Sequence, residues 1–346
     1  MSQTFHISKN IEILKKRFEI MKLIREFFWS KNFIEVETPL LIKYPGQEPN
    51  ISAIETIFHN EQKQEFRGYL HTSPEYAMKK MLAAGFTNIF FLGKTFRDEE
   101  SFGGTHNPEF TMLEWYQVNS DMFDIMRDVE GLFKFLMERG MWNEECGIPK
   151  NFVSGQVGNE ECGFKFKRLS MKDLWSEIVG IDLDEYLTRE KMLELCKEKK
   201  YNVEDNESYE ELFYRIFLQE IEPKLKDMGH VIIYNYPAQM ASLSRLSETN
   251  PNYAERFEVY IDGMELANAF SELTDSAEQF KRLQEEQKER AKQGKKVYDI
   301  DMDFIEAVGQ MPKSAGIALG VDRLVQVFTS CQNIDNVLTL PSSKLF

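Results

Sequence analysis

The chain has 346 residues, of which 29% are charged and 42% are hydrophobic, a composition typical of a globular protein. Its 57 acidic and 42 basic residues give a net charge of −15. This charge argues against nucleic-acid binding through a broad basic face, because phosphate neutralisation supplies most of such binding. No apolar run reaches the roughly 18–20 residues that span a bilayer, and no signal peptide is visible. We therefore expect a cytoplasmic protein that makes no membrane contact.

The cysteines lie far apart and form no C-x-x-C pair: Cys146, Cys162, Cys196 and Cys331. This spacing favours reduced thiols over a disulfide or a zinc site. Two of them belong to a repeated Asn-Glu-Glu-Cys-Gly, at 143–147 and 159–163. We interpret the repeat as two similar loop ends rather than as a metal site.

Residues 11–28 carry apolar side chains at helical spacing with charged residues between them, which predicts an amphipathic helix. Residues 32–41 alternate in polarity and contain β-branched side chains, which predicts a strand ended by Pro39. Because little precedes the helix, we expect no separate N-terminal domain.

The remaining elements are predicted from the same signals. In chain order they are a helix at 74–84 with Pro74 in its first turn, a strand at 88–96, a loop at 97–107, a strand at 109–118, a helix at 120–140, a loop-rich insertion around 141–168, helices within 169–228, strands at 230–236, 255–260 and 264–270, and a charged helix at about 277–293. Long antiparallel hairpins interrupted by helices indicate an α+β fold rather than a parallel sheet. We predict a single domain over residues 1–346.

Two arginines each lie beside the end of a strand or helix, in Gly93-Lys94-Thr95-Phe96-Arg97-Asp98 and in Gly320-Val321-Asp322-Arg323. Guanidinium groups bind phosphate oxygens bidentately, so the pair of Arg97 and Arg323 is suited to a polyphosphate. The alternative is that each arginine forms a surface salt bridge.

The sequence Asp262-Gly263 between two alternating segments predicts a two-residue hairpin turn. In that register Glu258 and Glu265 lie diagonally on one face, roughly 7 Å apart. Two carboxylates so close repel unless a cation joins them, and oxygen ligands beside a phosphate suit Mg²⁺. The alternative is that one carboxylate is paired with Lys or Arg. Strict alternation places Asn268 and Glu272 on the opposite face, unless a bulge intervenes.

Three ordered motifs resemble motifs 1, 2 and 3 of the class II aminoacyl-tRNA synthetases. They are Phe-x-Glu-Val-x-Thr-Pro-x-Leu at 33–41, Phe-Arg-Asp-Glu at 96–99 with His-Asn-Pro-Glu-Phe-Thr at 106–111, and Gly-x-x-Arg at 320–323. Within that class, Thr-Ser-Pro-Glu-Tyr at 72–76 and the segment 255–275 are most similar to the lysyl branch. The resemblance spans about residues 10–330.

The chain begins about where the anticodon-binding domain of a lysyl-tRNA synthetase would end. It therefore resembles the stand-alone paralogues, the elongation factor P β-lysyltransferases, to which residues 236–243 are also similar. Ala318 stands where lysyl-tRNA synthetases usually carry glycine, and its methyl group could favour a β-amino isomer. Two alternatives are a truncated lysyl-tRNA synthetase that acts on tRNA and an inactive paralogue that serves as a regulatory module.

The resemblance implies the class II synthetase catalytic fold, a mostly antiparallel sheet flanked by helices, with ATP and Mg²⁺ as cofactors. The positions that match the ATP-binding residues of the family are Arg97, Asp98, Glu99, Asn107, Phe110, Glu265, Leu266, Gly320 and Arg323. Of these, Arg97 and Arg323 are the implied catalytic residues. The implied metal ligands are Glu258 and Glu265. The implied amino-acid-binding residues are Ser73, Pro74, Glu75, Tyr116, Asn268, Glu272 and Ala318.

The implied reaction joins lysine or β-lysine to ATP as an adenylate and then to a lysine of elongation factor P. The motif 2 loop tip, Ser101-Phe102-Gly103-Gly104-Thr105, lacks the arginine that usually precedes the histidine of this motif. Together with the charge of −15, this makes tRNA the less favoured acceptor. The family dimerises through motif 1, and the helix and strand of this motif, residues 11–41, carry more apolar side chains than one buried face needs, so we also expect a homodimer.

Overall fold

The chain folds around a central sheet, and the computed structural model describes residues 2–141 and 165–346. The strands are β1 (Ile34–Glu35), β2 (Leu41–Ile42), β3 (Glu55–His59), β4 (Glu65–Leu70), β5 (Asn88–Phe96), β6 (Glu109–Val118), β7 (Lys167–Ser170), β8 (His230–Pro237), β9 (Tyr253–Ile261), β10 (Met264–Ser271) and β11 (Ser314–Gly320). The central sheet has eight strands in the order β1-β5-β6-β11-β10-β9-β8-β7, and β2-β4-β3 form a small second sheet. The pairs β1–β5 and β7–β8 are parallel, and the other neighbours in the large sheet are antiparallel.

Helices flank this sheet and connect its strands. They are α1 (Gln3–Lys9), α2 (Ile11–Ser30), α3 (Glu75–Ala83), α4 (Met122–Glu138), α5 (Met171–Ile178), α6 (Arg189–Glu198), α7 (Tyr209–Ile216), α8 (Glu222–Met228), α9 (Ser276–Lys292), α10 (Met302–Gln310), α11 (Val321–Thr329) and α12 (Ser342–Leu345). Within the described ranges, no helix is both long enough and apolar enough to cross a membrane.

The two faces of the sheet have opposite character because successive side chains of a strand point to opposite sides. On one face, odd-numbered residues of β6 such as Leu113 and Trp115 pack with α2, α4 and α11 in the main apolar core. The Phe28 ring of α2 lies 5.0 Å from the Trp115 ring, between ring centroids. On the other face, even-numbered residues of β6 such as Glu114 and Tyr116 point away from that core. The fold therefore provides a polar sheet face that its main helices leave open.

A buried ion pair anchors the first long helix to this sheet. Arg17 of α2 pairs with Asp322 at the start of α11, and both side chains are at most 5% exposed. Asp322 also accepts a 2.7 Å hydrogen bond from the backbone amide of Thr111 in β6. These contacts fix the beginning of α11, which carries Arg323, relative to β6.

The predicted strands at 88–96 and 109–118 are confirmed to the residue, and the predicted helix at 11–28 is extended only to Ser30. The α+β fold with a mostly antiparallel sheet is confirmed as well. The single strand predicted at 32–41 is wrong. Ile34–Glu35 pairs with β5, and beyond Pro39 the residues Leu41–Ile42 pair with β4 in the second sheet.

Some predictions concern residues outside the described ranges. Most of the insertion predicted around 141–168 and both copies of Asn-Glu-Glu-Cys-Gly lie there. Of the cysteines, Cys196 and Cys331 are free thiols, as predicted.

Candidate active site

A cavity of about 420 Å³ opens on the polar face of the sheet. Its floor consists of side chains that face one another across strands β6, β11, β10 and β9. One cross-strand row is Glu114, Ala318, Asn268 and Glu258, and the neighbouring row is Tyr116, Gly316, Phe270 and Arg256. Acidic and amide groups are thus aligned on a single surface by the antiparallel register.

The row containing Glu258 depends on a bulge in β10. Glu265 pairs with Tyr260, whereas Ala267 pairs with Val259, so Leu266 is an additional residue in this strand. A bulge of this kind reverses the alternation of the residues that follow it. It therefore brings Asn268 to the face that carries Glu258 and Glu265. The predicted hairpin register is confirmed. Strict alternation would place Asn268 on the opposite face, and the bulge reverses this.

Gly316 lies where the cavity floor has no room for a side chain. A Cβ atom there would be 2.3 Å from the ring of Tyr116 and 3.0 Å from Oε1 of Glu272. Any larger residue would displace Tyr116. The absent side chain lets Tyr116 lie across β11.

Two arginines lie at one end of the cavity without a carboxylate partner among the described residues. Arg97 lies over the ring of Phe110, with its guanidinium carbon 5.2 Å from the ring centroid. Burial lowers the pKa of Arg97, and its Nε atom has no hydrogen-bond partner within the described part of the chain. A half-buried arginine without an ion-pair partner among the described residues is suited to binding an anion.

Arg323 is held in place by uncharged groups. Its guanidinium donates to the backbone oxygen of Glu265 at 2.8 Å and to that of Thr105 at 3.3 Å. Its Nη2 lies 2.9 Å from Nε2 of His106. Burial and the charge of Arg323 lower the pKa of His106, so its imidazole is neutral and accepts this hydrogen bond. These contacts orient the guanidinium but leave its charge available for an anion.

Glu114 lies at the other end of the cavity and is 1% exposed. Its carboxylate accepts hydrogen bonds from Ser73 Oγ at 2.7 Å and from the Tyr116 hydroxyl at 2.8 Å. Burial raises the pKa of Glu114 to about 8, and Glu75 contributes to the rise. Among the described residues, no cation lies within salt-bridge distance of it.

A buried lysine joins two further carboxylates at this end. The ammonium of Lys79 lies 2.7 Å from Oε1 of Glu75 and 2.6 Å from Oε2 of Glu272. Lys79 and Glu272 are each 1% exposed. Burial lowers the pKa of Lys79, but the two carboxylates outweigh it and raise the pKa overall. Lys79 therefore remains charged.

The two carboxylates of the hairpin differ in their partners. Glu258 accepts hydrogen bonds from Arg256 at 2.7 Å, from Tyr236 at 2.5 Å and from Tyr260 at 2.6 Å. The alternative of a pairing with Lys or Arg therefore holds for Glu258. The carboxylate of Glu265 has no hydrogen-bond or ion-pair partner in the described ranges. Among the same residues, no three His, Cys, Asp or Glu side chains converge as a metal cluster.

Most of the predicted site residues line this one cavity. They are Ser73, Glu75, Arg97, Asn107, Phe110, Tyr116, Glu258, Glu265, Leu266, Asn268, Ala318, Gly320 and Arg323. Four others are not among its lining residues, namely Pro74, Asp98, Glu99 and Glu272.

These four residues have different surroundings. Pro74 lines a second cavity, of about 330 Å³, on the other side of the turn before α3. Asp98 and Glu99 are exposed, and the carboxylate of Glu99 accepts a 2.7 Å hydrogen bond from Ser52. Oε1 of Glu272 lies 3.0 Å from the position that a Cβ atom of Gly316 would take, on the same face of the sheet as the Tyr116 ring. The amide of Asn107 lines the cavity but bonds the backbone at Glu109 and Ser342.

Sequence reasoning did not identify Glu114, Lys79, Arg256 and His106 as parts of the site. Glu114 could have been found from Tyr116, because residues two apart on a strand share a face. Lys79 follows Glu75 by one helical turn, which allows the pair to meet. Arg256 could have been found in the same way from Glu258, its ion-pair partner two residues further along β9. His106 contacts Arg323, which is distant in sequence, and no local pattern indicates that contact.

The raised pKa of Glu114 predicts a pH dependence of stability. Between its ordinary pKa near 4.5 and its folded value of about 8, the folded state binds this proton more tightly than the unfolded state does. The free energy of unfolding should therefore fall as the pH rises through this range. We expect Glu114→Gln to remove about 1–2 kcal/mol of the fall between pH 5.5 and 7.5, measured by urea unfolding.

Glu272, with a pKa raised by burial to about 7, acts in the same direction, so part of the slope should remain in this variant. Glu109→Gln, at an exposed residue that begins the same strand, is the matched control and should keep the wild-type slope. Identical slopes in the wild type and Glu114→Gln would contradict the assignment.

The chain matches the family described as tRNA synthetases class II (D, K and N) over residues 4–344. It is 34% identical to the elongation factor P--(R)-beta-lysine ligase of Haemophilus influenzae strain PittGG over 96% of this chain and 95% of that protein. The enzyme of the same name from Avibacterium paragallinarum is 36% identical over 95% of both chains. That of Histophilus somni strain 2336 is 34% identical over 98% of both chains. The predicted resemblance is confirmed by these matches.

Proposed function

Because the chain belongs to the class II tRNA synthetases of the D, K and N type, we propose that it is an ATP-dependent ligase specific for a lysine-like amino acid. It activates this amino acid, (R)-β-lysine, as an adenylate and transfers it to a lysine side chain of elongation factor P. The relatives at 34–36% identity are ligases named for this reaction.

The charge at the acidic end of the cavity carries the proposal. Glu75, Glu114 and Glu272 supply three carboxylates, and Lys79 compensates one of them. Two of these three groups are then left without an internal cation when all three are ionised. A diamino acid such as lysine or β-lysine brings two ammonium groups, which compensate these charges. A substrate with a single amine would leave a buried carboxylate unpaired, at a cost of several kcal/mol.

The arginine end is suited to the nucleotide. Arg97 and Arg323 supply two uncompensated guanidinium charges, and the aromatic ring of Phe110 lies beside them. Guanidinium groups bind phosphates bidentately, and a flat ring is a suitable surface for an adenine base. Gly320 admits the backbone close to the ligand. We assign the phosphates of ATP to the two arginines and the adenine to Phe110.

The residues present fit a Mg²⁺ ion between these ends. Glu265 has a carboxylate without a partner among the described residues, and Oε1 of Glu258 has only Arg256 as a hydrogen-bond partner. Mg²⁺ is commonly held by one or two carboxylates together with substrate phosphates. Glu265 and Glu258 would hold it there. When bound, the ion would neutralise phosphate charge.

The residues of this chain mainly position the reactants and compensate charge. A carboxylate oxygen of the amino acid forms a bond to the α-phosphorus of ATP, and the bond from that phosphorus to pyrophosphate breaks. Arg97 and Arg323 stabilise the charge that develops on the phosphates. In the second step, the neutral amine of the acceptor lysine attacks the carbonyl carbon. AMP leaves with the bonding electrons, and the amine loses a proton.

The first test is pyrophosphate exchange. We expect the purified chain to exchange labelled pyrophosphate into ATP only when a lysine-like amino acid is present. Arg97→Ala should lower kcat/KM by about 10²- to 10³-fold, as loss of one donor to a developing anion does. Arg127→Ala, an exposed arginine on α4, is the control and should be unaffected. A wild-type chain that shows no exchange with any basic amino acid would refute the proposed activity.

The acceptor is tested by mass spectrometry of elongation factor P after incubation with the chain, ATP and (R)-β-lysine. We expect one modified lysine, with the label lost when that lysine is replaced by arginine. The motif 2 loop tip at 101–105 is uncharged, and the net charge is −15, so few contacts with tRNA phosphates are available. Charging of full-length tRNA with elongation factor P left unmodified would favour the truncated lysyl-tRNA synthetase instead.

We also propose that the chain is a homodimer that associates through α2 and the segment that follows it. Phe27 and Phe28 are buried, whereas the adjacent Trp29 is 52% exposed. Phe18 is 54% exposed on the same helix, and Ile34 is 52% exposed just beyond it. Large exposed apolar side chains on neighbouring elements are typical of a subunit interface.

Sedimentation at micromolar concentration should give twice the chain mass of 40.6 kDa. Trp29→Glu should shift the equilibrium toward the monomer, because it places a charge in the apolar contact. Leu218→Glu, at an apolar residue that is 50% exposed elsewhere on the surface, is the matched control and should remain dimeric. A wild-type monomer under these conditions would exclude the dimer.

A further inference from the structure

Lys79 is a buried cation in a pocket that we assign to a cationic substrate. It projects from the second turn of α3, and its side chain is 1% exposed. In the described part of the chain, no other lysine or arginine lies within salt-bridge distance of Glu75, Glu114 or Glu272. Lys79 therefore decides how much of the pocket's negative charge remains for a ligand.

The two ion pairs of Lys79 join the elements that form the acidic end. Glu75 begins α3, and Glu272 follows β10, where its backbone amide donates a 2.9 Å hydrogen bond to Ser314 in β11. The ammonium lies 2.7 Å from the first carboxylate and 2.6 Å from the second. It thus bridges the start of α3 and the end of β10.

We propose that Lys79 is a positioning residue that determines specificity for diamino acids. Its ammonium orients Glu75 and Glu272 and compensates one of the three carboxylates Glu75, Glu114 and Glu272, so that two of them remain for the two substrate amines. This inference depends on the proposed amino-acid activation and adds to it the residue that sets the charge of the amino-acid site.

Loss of this cation changes the ionisation of the carboxylates. The charged or titratable groups that act on Glu272 are Lys79, Glu75, Arg245 and Tyr116. Burial raises the pKa of Glu272, and Lys79 opposes that rise more than Arg245 does. Without Lys79, Glu272 takes up a proton near neutral pH and no longer attracts an ammonium group. Raising the pH would remove this proton and restore part of the attraction.

The test measures pyrophosphate exchange with lysine or β-lysine at pH 7 and pH 9. Lys79→Met should raise KM for the amino acid by about 30-fold or more at pH 7, as expected when one partner of a buried pair is removed. KM for ATP should change less than about twofold, since the arginine end is untouched. The amino-acid KM of this variant should fall at pH 9, and the preference for lysine over norleucine should decrease.

Two variants provide controls for this measurement. Lys79→Arg retains the charge and should bind the amino acid more tightly than Lys79→Met does. Lys80→Met removes the neighbouring lysine of α3, which pairs with Asp301 at 2.7 Å and not with these carboxylates. It should leave both KM values near those of the wild type. An equal rise of both KM values in Lys79→Met, or no change in the amino-acid KM, would overturn the proposal.

A double variant keeps the proposal testable if Lys79→Met does not fold. Glu272→Gln alone leaves Lys79 to compete with the substrate for Glu75. Lys79→Met/Glu272→Gln removes one cation and one anion, so the pocket again has two uncompensated carboxylates. Its KM for the amino acid should be about tenfold lower than that of Glu272→Gln. A merely structural lysine predicts no such gain. A wild-type chain that shows no exchange would instead refute the activity itself.

Discussion

The cost of burying an unpaired charge is the constraint that organises this molecule. Carboxylates collect at one end of the cavity and arginines at the other, and water cannot solvate all of them. Internal partners satisfy some of these groups, as Arg256 does for Glu258 and Lys79 for Glu75 and Glu272. The carboxylates that remain unpaired have the sign that the ammonium groups of a diamino acid would compensate. The unpaired arginines have the sign that a polyphosphate would compensate.

The sheet brings these charges together through its register. Antiparallel pairing across β6, β11, β10 and β9 places Glu114, Ala318, Asn268 and Glu258 in one row. Without the additional residue at Leu266, Asn268 would point into the apolar core, where its amide would have no partner. The bulge is therefore the local irregularity on which the composition of the site depends. The two acidic residues of the hairpin share the face regardless of the bulge, because they precede it.

Sequence patterns predicted the elements whose structure depends on neighbouring residues in the chain. The hairpin turn at Asp262-Gly263 and the bounds of β5 and β6 follow from turn chemistry and alternation, and the structure agrees with them. The bulge at Leu266 has no comparable signal, because it arises from pairing on both sides of β10. The strand predicted at 32–41 failed for a similar reason. The residues do alternate in polarity, but they form two short strands on either side of Pro39. The first pairs with β5 and the second with β4.

Charge and volume have separate consequences for the substrate. The acidic end fixes how many amines are compensated, but carboxylates attract an ammonium group from several directions and discriminate weakly between positional isomers. Volume is more restrictive, because Gly316 allows Tyr116 to cross the floor and Ala318 adds a methyl group between Glu114 and Asn268. That methyl group lies in the middle of the row. We therefore expect the charges to select a diamino acid, and the size of the residue at position 318 to select between α- and β-amino forms.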